Sequence, residues 1–459
     1  MAIFPIEALA SMSPRPRIHF IGIGGVHMSA MAELLFLRGF PVTGNDREES
    51  DNVRHLNSVG VKCMVGHKPE YVEGADIIIR NAAIHDTSPD IIRARELGLP
   101  IYERPEVLGA LMKDAGKRIC IAGTHGKSTT TAMCSEIAYE AGIDPTVFCG
   151  ARIPETGVAY RFGKNDLFIA ESCEYCDSFL SFYPTHAVIL NIEPDHLDYF
   201  SDIHAIRASF KRFASLVPED GAVVANGDDP EIRKLLSDLG RPVIWTGYED
   251  GNDYQAVNIV SEKGNFSFDI LVRGEKEAHV DLAVPGKHVV QDALAAYAVS
   301  RAAGIASESI VLSLERFMGA KRRFERIGSF NGADVVDDFA HHPTELAATL
   351  NAAKALGYER VICVYQPHTY TRTLALYKEF AQALAIADLP ILAPIYPARE
   401  ENVHHISSAL IGDEMQSCTV YDSVEAIEDY VRAIAKKGDL IVTAGAGDIY
   451  KLGYRLVKA

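Results

Sequence analysis

Apolar residues in this chain fall into short runs, separated by stretches in which they recur every third or fourth position. Runs at 17–22, 41–46, 75–80 and 100–102 read as buried strands, and 88–97 and 105–112 read as helices with one apolar face. Strand and helix in alternation predict a sheet flanked by helices, so the chain opens on one small α/β domain. The pattern restarts with a run at 118–122, a helix reaching residue 140, and runs at 166–171 and 187–192. Residues 221–276 alternate short strand patterns with turns such as Asn226-Gly227-Asp228-Asp229, and read as a β-rich return before a strongly helical segment at 289–303. Alternation resumes with apolar runs at 333–336, 360–365, 389–396 and 439–443. Segments 17–113, 114–320 and 321–459 are expected to be successive domains, after a short disordered or loosely packed lead over 1–16.

Polar residues gather where the apolar runs stop, which is the edge at which open parallel sheets keep their sites. The run at 118–122 enters Gly123-Thr124-His125-Gly126-Lys127-Ser128-Thr129 and then a helix. Backbone amides in such a turn, backed by a helix N-terminus, form an anion site. A lysine there reaches nucleotide phosphates and the following hydroxyl ligates Mg²⁺. The next two runs end at Glu171 and just before His196, a carboxylate and an imidazole suited to a second divalent ion or its waters. Gly22, Gly24 and Gly25 sit where a dinucleotide-binding fold makes its first turn, with Asp46 at the end of the next run. Taken alone, that pattern suggests an NAD-type enzyme. Arg322 and Arg323 stand at a junction, either as a solvated hinge or as positive charge for a phosphate in transfer.

Composition narrows the class. The 459 residues are 48% hydrophobic and 23% charged, ordinary for a globular protein of two to four domains. A net charge of -17 argues against nucleic-acid or anionic-membrane binding. No apolar run is long enough for a stable membrane span, and the first residues do not read as a signal peptide. Eight scattered cysteines suggest reduced thiols in a cytoplasm. The lone Cys173/Cys176 pair reads as thiols lining a loop rather than a zinc or redox site.

The ordered motifs GIGGVHMSA (22–30), AGTHGKSTTT (122–131), ESCEY (171–175), NIEPDHLDYF (191–200), RRFE (322–325), DDFAHHPTE (337–345), QPHTYTRT (366–373) and AGAGDIYKLG (444–453) resemble the Mur ligases of peptidoglycan synthesis. The resemblance runs over nearly the whole chain, and its histidine-rich motifs are most similar to the alanine-adding branch. It implies an α/β fold of three domains: a Rossmann-like N-terminal domain, a central P-loop ATPase-like domain with a mixed sheet, and a C-terminal Rossmann-like domain that closes over the site. It implies ATP and Mg²⁺, with UDP-N-acetylmuramate and L-alanine as substrates, and leaves monomer or homodimer open.

By the same resemblance, Gly123, Thr124, His125, Gly126, Lys127, Ser128, Thr129, His288, Arg323 and Asp338 face the nucleotide. Ser128, Glu171 and His196 face metal, and Lys127, Glu171, His196, His342 and Arg372 act in catalysis. Gly22, Gly24, Gly25, Val26, His27, Asp46 and Glu174 bind substrate, as do His341, His342, Tyr370 and Arg372, where His342 and Arg372 face the acceptor amino acid. The chain departs from the family pattern at several places. Val289 and Asp292 replace two asparagines, His27 replaces a glycine, and Phe210 stands where other members carry a carbamoylated lysine. Two enzymatic alternatives remain, a ligase that attaches a recycled peptide to the same nucleotide sugar and an NAD(P)-dependent oxidoreductase. A third is a non-catalytic nucleotide-binding regulator.

Overall fold

A computed structural model describes residues 4–153, 156–196, 199–398 and 400–458. Leu197 and Asp198 of the NIEPDHLDYF motif, and the first three residues of the lead, lie outside them. The chain divides into two compact units, Met1–Trp245 with Ala298–Ile305, and Thr246–Tyr297 with Ala306–Ala459. Among the described residues no helix is long and apolar enough to cross a membrane.

The first unit holds a five-stranded parallel sheet, in the order Lys62–Val65, Val42–Asp46, Ile18–Ile21, Ile77–Arg80, Ile101–Glu103. Every residue of Ile18–Ile21 is buried, as expected of a central strand covered on both faces. The lead is better ordered than the sequence suggests. Residues Ile6–Ser11 form a helix, and Phe4 is buried with its ring edge-on to Tyr102 at 5.1 Å. One aromatic and one isoleucine suffice to dock a segment too short to show periodicity.

A polar thread runs through this sheet. His19 Nε2 meets Asn45 Oδ1 at 2.9 Å, Asn45 Nδ2 donates to Asp90 Oδ2 at 3.0 Å, and His67 Nδ1 meets the same oxygen at 2.7 Å. Burial would raise the Asp90 carboxyl, but hydrogen bonds from Ser88, His67 and Asn45 hold it below its ordinary value. A depressed carboxyl stabilises the fold above its unfolded pKa and loses that contribution as pH falls through the folded one. Asp90→Ala is therefore expected to cost about 1–3 kcal/mol at neutral pH by removing the shared acceptor of buried Asn45 and half-buried His67 and Ser88. Urea unfolding of variant and parent should converge in acid.

The central strands of this unit follow the order Ala222–Asn226, His186–Ile189, Lys117–Ala122, Leu167–Glu171, Thr146–Phe148, Tyr160–Arg161. All neighbours are parallel except the last pair. The register sets Ile189 beside Ala122 and Glu171 beside Ile121. Residues 123–126, 172–174 and 190–196 therefore leave the sheet at one edge. The run at 187–192 stops as strand at Ile189, because its last residues turn to hold the loop beside them. The β-rich reading of 221–276 needs correction at 230–236, where Pro230–Leu236 is a helix. Asp229, read as a turn residue, is its N-cap and accepts from Glu231 N at 2.8 Å.

In the second unit Tyr254–Glu262, Asn265–Val272 and Glu275–Asp281 form an antiparallel meander. A six-stranded sheet follows the order Glu325–Phe330, Ala333–Asp338, Asp439–Ala444, Arg360–Tyr365, Leu389–Leu392, Thr419–Val420. Only the first pair is antiparallel. The edge strand Glu325–Phe330 is charged and half-exposed, so it was invisible to an apolar pattern. The run at 389–396 ends as strand at Leu392.

Candidate active site

Glycines 123 and 126 shape the turn between Lys117–Ala122 and the helix Lys127–Glu140. Gly126 caps that helix at φ 81°, a left-handed conformation that side chains disfavour. The loop is pinned from the neighbouring strand exit. Thr124 N donates to Asn191 O at 3.2 Å, His125 N to Asn191 Oδ1 at 2.8 Å, and Glu193 N to Thr124 Oγ1 at 2.8 Å. The His125 ring lies 3.3 Å from Glu193. Asn191 was not singled out by sequence. Its signal in the sequence is its place as the first residue of the NIEPDHLDYF motif.

Lys127 folds back over this loop. Its ammonium donates to Gly123 O, to Thr124 O at 3.1 Å and to Glu174 Oε2 at 3.2 Å. Burial works against its charge, yet Glu174, Cys173 and Glu171 together hold its pKa above the ordinary lysine value. Ser128, also buried, donates to Glu171 Oε2 at 2.8 Å, and Gly150 N donates to the same oxygen at 2.5 Å. A Cβ on Gly150 would stand 2.6 Å from Glu171 Oε1, so a side chain there would displace the carboxylate. Thr129 follows on the first helical turn. His196, at φ 54°, packs its ring 4.7 Å from Tyr175, the neighbour of Glu174. Lys127, Glu171 and His196 are thus joined through Ser128, Glu174 and Tyr175. The hydroxyl of Ser128 and the carboxylates of Glu171 and Glu174 gather with Lys127 beside a loop of backbone amides, an arrangement suited to a polyphosphate and a hard cation, while the His196 ring is placed against Tyr175 and beside Asp195.

The N-terminal turn is built differently from its dinucleotide-type appearance. Gly22 has φ 80°, and Gly24 N donates to Asp46 Oδ2 at 2.8 Å, so the acidic residue braces the turn itself. Gly25 caps the helix Val26–Leu37, and Val26 is exposed. The His27 ring turns inward between Cys149 O, 3.0 Å from Nε2, and Arg104 Nη1, 2.9 Å from Nδ1. A carbonyl only accepts and a guanidinium only donates, so Nε2 carries the proton and the ring is neutral. Burial, and then Arg104, push its pKa down to about 4. Arg104 lines a cavity of about 620 Å³ together with Arg80, His85, Glu103, Cys176 and Ser178.

In the second unit the two junction arginines separate. The Arg322 guanidinium donates to Asp337 Oδ2 and to Gly445 O, both at 2.8 Å, between the rings of Phe339 at 4.9 Å and Tyr450 at 4.3 Å. Arg323 lies 3.8 Å from Glu345 and over the Phe339 ring. Asp338 accepts from Phe324 N and Ala340 N, both at 2.7 Å, and burial pushes its carboxyl up to about 6. His342 caps the helix Pro343–Ala355, its Nδ1 accepting from Thr344 N at 3.4 Å. His341 Nδ1 donates to Phe339 O at 3.0 Å. Arg372 donates to His368 O at 2.8 Å, and the His368 ring stacks on Tyr396 at 5.7 Å. Tyr370 opens the helix Tyr370–Leu384. Glu400, unremarked in the sequence, accepts from Thr369 Oγ1 at 2.6 Å and Thr371 N at 2.8 Å. His288 is exposed near the start of the helix Lys287–Ala302.

Three family models match successive parts of the chain: the Mur ligase family catalytic domain over 17–115, the Mur ligase middle domain over 121–300, and the Mur ligase glutamate ligase domain over 322–447. The chain belongs to the Mur ligase family.

The UDP-N-acetylmuramate–L-alanine ligase of Clostridium novyi is 42% identical over 447 residues, 96% of this chain and 97% of its own. That of Caldanaerobacter subterraneus is 43% identical over 447 residues, with the same two shares. Among solved structures, the UDP-N-acetylmuramate–alanine ligase of Thermotoga maritima superposes with a TM-score of 0.83 at 27% identity, covering 96% of this chain and 98% of its own. The murein peptide ligase of Psychrobacter arcticus superposes at 0.74 and 26% identity, with the same coverage. The three-domain α/β fold of this Mur ligase, with its mixed central sheet, agrees with the sequence reading. Its departures from the family pattern also have places in the fold. Phe210 is wholly buried against Phe179, and the neighbouring Lys211 pairs with Asp238 at 2.6 Å. Val289 and Asp292 are both buried.

Proposed function

We propose that this Mur ligase joins L-alanine to the carboxylate of UDP-N-acetylmuramate at the expense of ATP, in the cytoplasmic synthesis of peptidoglycan precursor. Relatives at 42–43% identity over nearly the whole chain carry that name. The observation that carries the reading is the cluster of Lys127, Ser128, Glu171 and Glu174 around one loop of backbone amides.

The sugar carboxylate attacks the γ-phosphorus, ADP leaves, and an acyl phosphate results. The alanine amine then attacks the acyl carbon and inorganic phosphate leaves. Phosphoryl transfer leaves a protein chiefly positioning and charge neutralisation to do. Lys127 and the amides of 126–128 at the helix start hold the phosphates, the amides of Thr124 and His125 being engaged by Asn191. The Ser128 hydroxyl and Glu171 carboxylate, 2.8 Å apart, suit Mg²⁺, which would neutralise charge on the phosphate oxygens. His196 is assigned with Glu171 to a second divalent ion. Arg323 and Asp338 face the nucleotide, and His341, His342 and Tyr370 surround the acceptor. The Arg372 guanidinium is a planar fork for the alanine carboxylate.

Phosphate release is measured with ATP, Mg²⁺, UDP-N-acetylmuramate and single amino acids. Release that depends on L-alanine supports the reading. Release only with a peptide acceptor points to the peptide-attaching alternative, and none with any acceptor overturns ligation. Arg372→Ala is expected to raise the alanine KM roughly 10- to 100-fold with kcat less affected, the loss of a charge-assisted contact. Unchanged alanine dependence would refute that assignment.

A further inference from the structure

Two arginines line the 620 Å³ cavity, and they are engaged in opposite ways. Arg80 donates to Glu103 Oε1 at 2.7 Å and to Asp86 Oδ1 at 2.5 Å, so two carboxylates neutralise it. Arg104 forms no ion pair within 4.0 Å among the described residues, and Glu171 and Glu103 act on its charge only from farther off. Its partner is His27 Nδ1, a neutral nitrogen that accepts one N–H and cancels no charge. A guanidinium has five N–H donors, and half-buried donors require acceptors. Arg104 therefore presents a positive, under-satisfied fork at a cavity wall, which is the condition for binding an anion.

His27 does more than occupy one of those donors. Its Nε2–H holds Cys149 O at 3.0 Å, and the next residue, Gly150, donates its N–H to Glu171 Oε2. Glu171 in turn accepts from Ser128 beside the phosphate loop. A continuous series of hydrogen bonds thus runs Ser128, Glu171, Gly150–Cys149, His27, Arg104, and ends at the cavity. Each end is fixed by a separate element of the first unit.

We propose that Arg104 anchors an anionic group of the nucleotide sugar in this cavity, and that His27 is the positioning residue that holds Arg104 in place. The anion is a diphosphate or carboxylate oxygen, since both take a guanidinium fork. This rests on the proposed substrate, and the experiment separates the two. Calorimetry measures UDP-N-acetylmuramate binding without ATP, and separately an ATP analogue with Mg²⁺.

Arg104→Ala is expected to weaken nucleotide-sugar binding on the order of 10- to 100-fold, and to change analogue binding less than about threefold. His27→Ala should weaken it several-fold. His27→Gln should recover most of that, because the glutamine amide donates to Cys149 O and its carbonyl accepts from Arg104. A merely structural role would lower the melting temperature of the His27 variants without this loss and rescue. Arg104→Lys, which retains the charge, covers the case in which the alanine variant does not fold, and should bind with intermediate affinity. Full binding by a folded Arg104 variant overturns the anchor and leaves the ligase reading intact. No binding of the nucleotide sugar to the parent protein overturns both.

Discussion

Lys127→Ala loses phosphate release by on the order of 10³-fold or more at any alanine concentration. The ammonium sits within 3.2 Å of Glu174 and on the carbonyls of its own turn, so its charge is held at the loop. Removing a positive group aimed at developing phosphate charge acts on the transition state, so raised substrate does not recover the rate. The fold should survive with a lowered melting temperature, because buried Glu174 loses its cation while the loop stays pinned through Asn191, Thr124 and Glu193. Unchanged circular dichroism together with lost phosphate release is the expected pair of results. A variant retaining a tenth of parental release would remove Lys127 from the phosphate site.

The second large effect falls on stability. Arg322→Met leaves Asp337 wholly buried without its guanidinium, and Asp337 is already pushed up by burial, with Arg322 opposing the shift. Breaking such a pair costs about 3–5 kcal/mol, roughly 6–20 °C in the melting of a unit this size. Two aromatic contacts to the guanidinium go with it. Arg323→Met removes the charge that opposes the rise of the buried Asp338 carboxyl, but its ion pair to Glu345 is long, so it should melt below the parent by less than Arg322→Met and should lose activity as well. Differential scanning fluorimetry beside the phosphate assay reads both. Equal melting of the two variants would contradict the division of labour between adjacent arginines.

Much of this was legible in the chain itself. Parallel strands such as Lys117–Ala122, Leu167–Glu171 and Arg360–Tyr365 are buried on both faces, so they appear as unbroken apolar runs ending in chemistry. What escaped notice was local or relational. Thr146–Phe148 and Tyr160–Arg161 are too short to carry a period. Asn191 and Glu400 act by bonding backbone from another segment, and Arg104 by pairing with a histidine 77 positions away. Such partnerships depend on the sheet register, which no single run encodes. The two junction arginines are indistinguishable as letters, and it is the close pair of Arg322 with Asp337, against the longer one of Arg323 with Glu345, that tells them apart.

The Lys127 ammonium has an anion of its own in Glu174. On the proposed reading an incoming nucleotide must outcompete a tethered carboxylate. A ligand bearing a single charge replaces like with like and gains little. A triphosphate, spanning the ammonium, the helix start and the backbone amides together, gains from all three, so the resting contact acts as a filter for highly charged ligands.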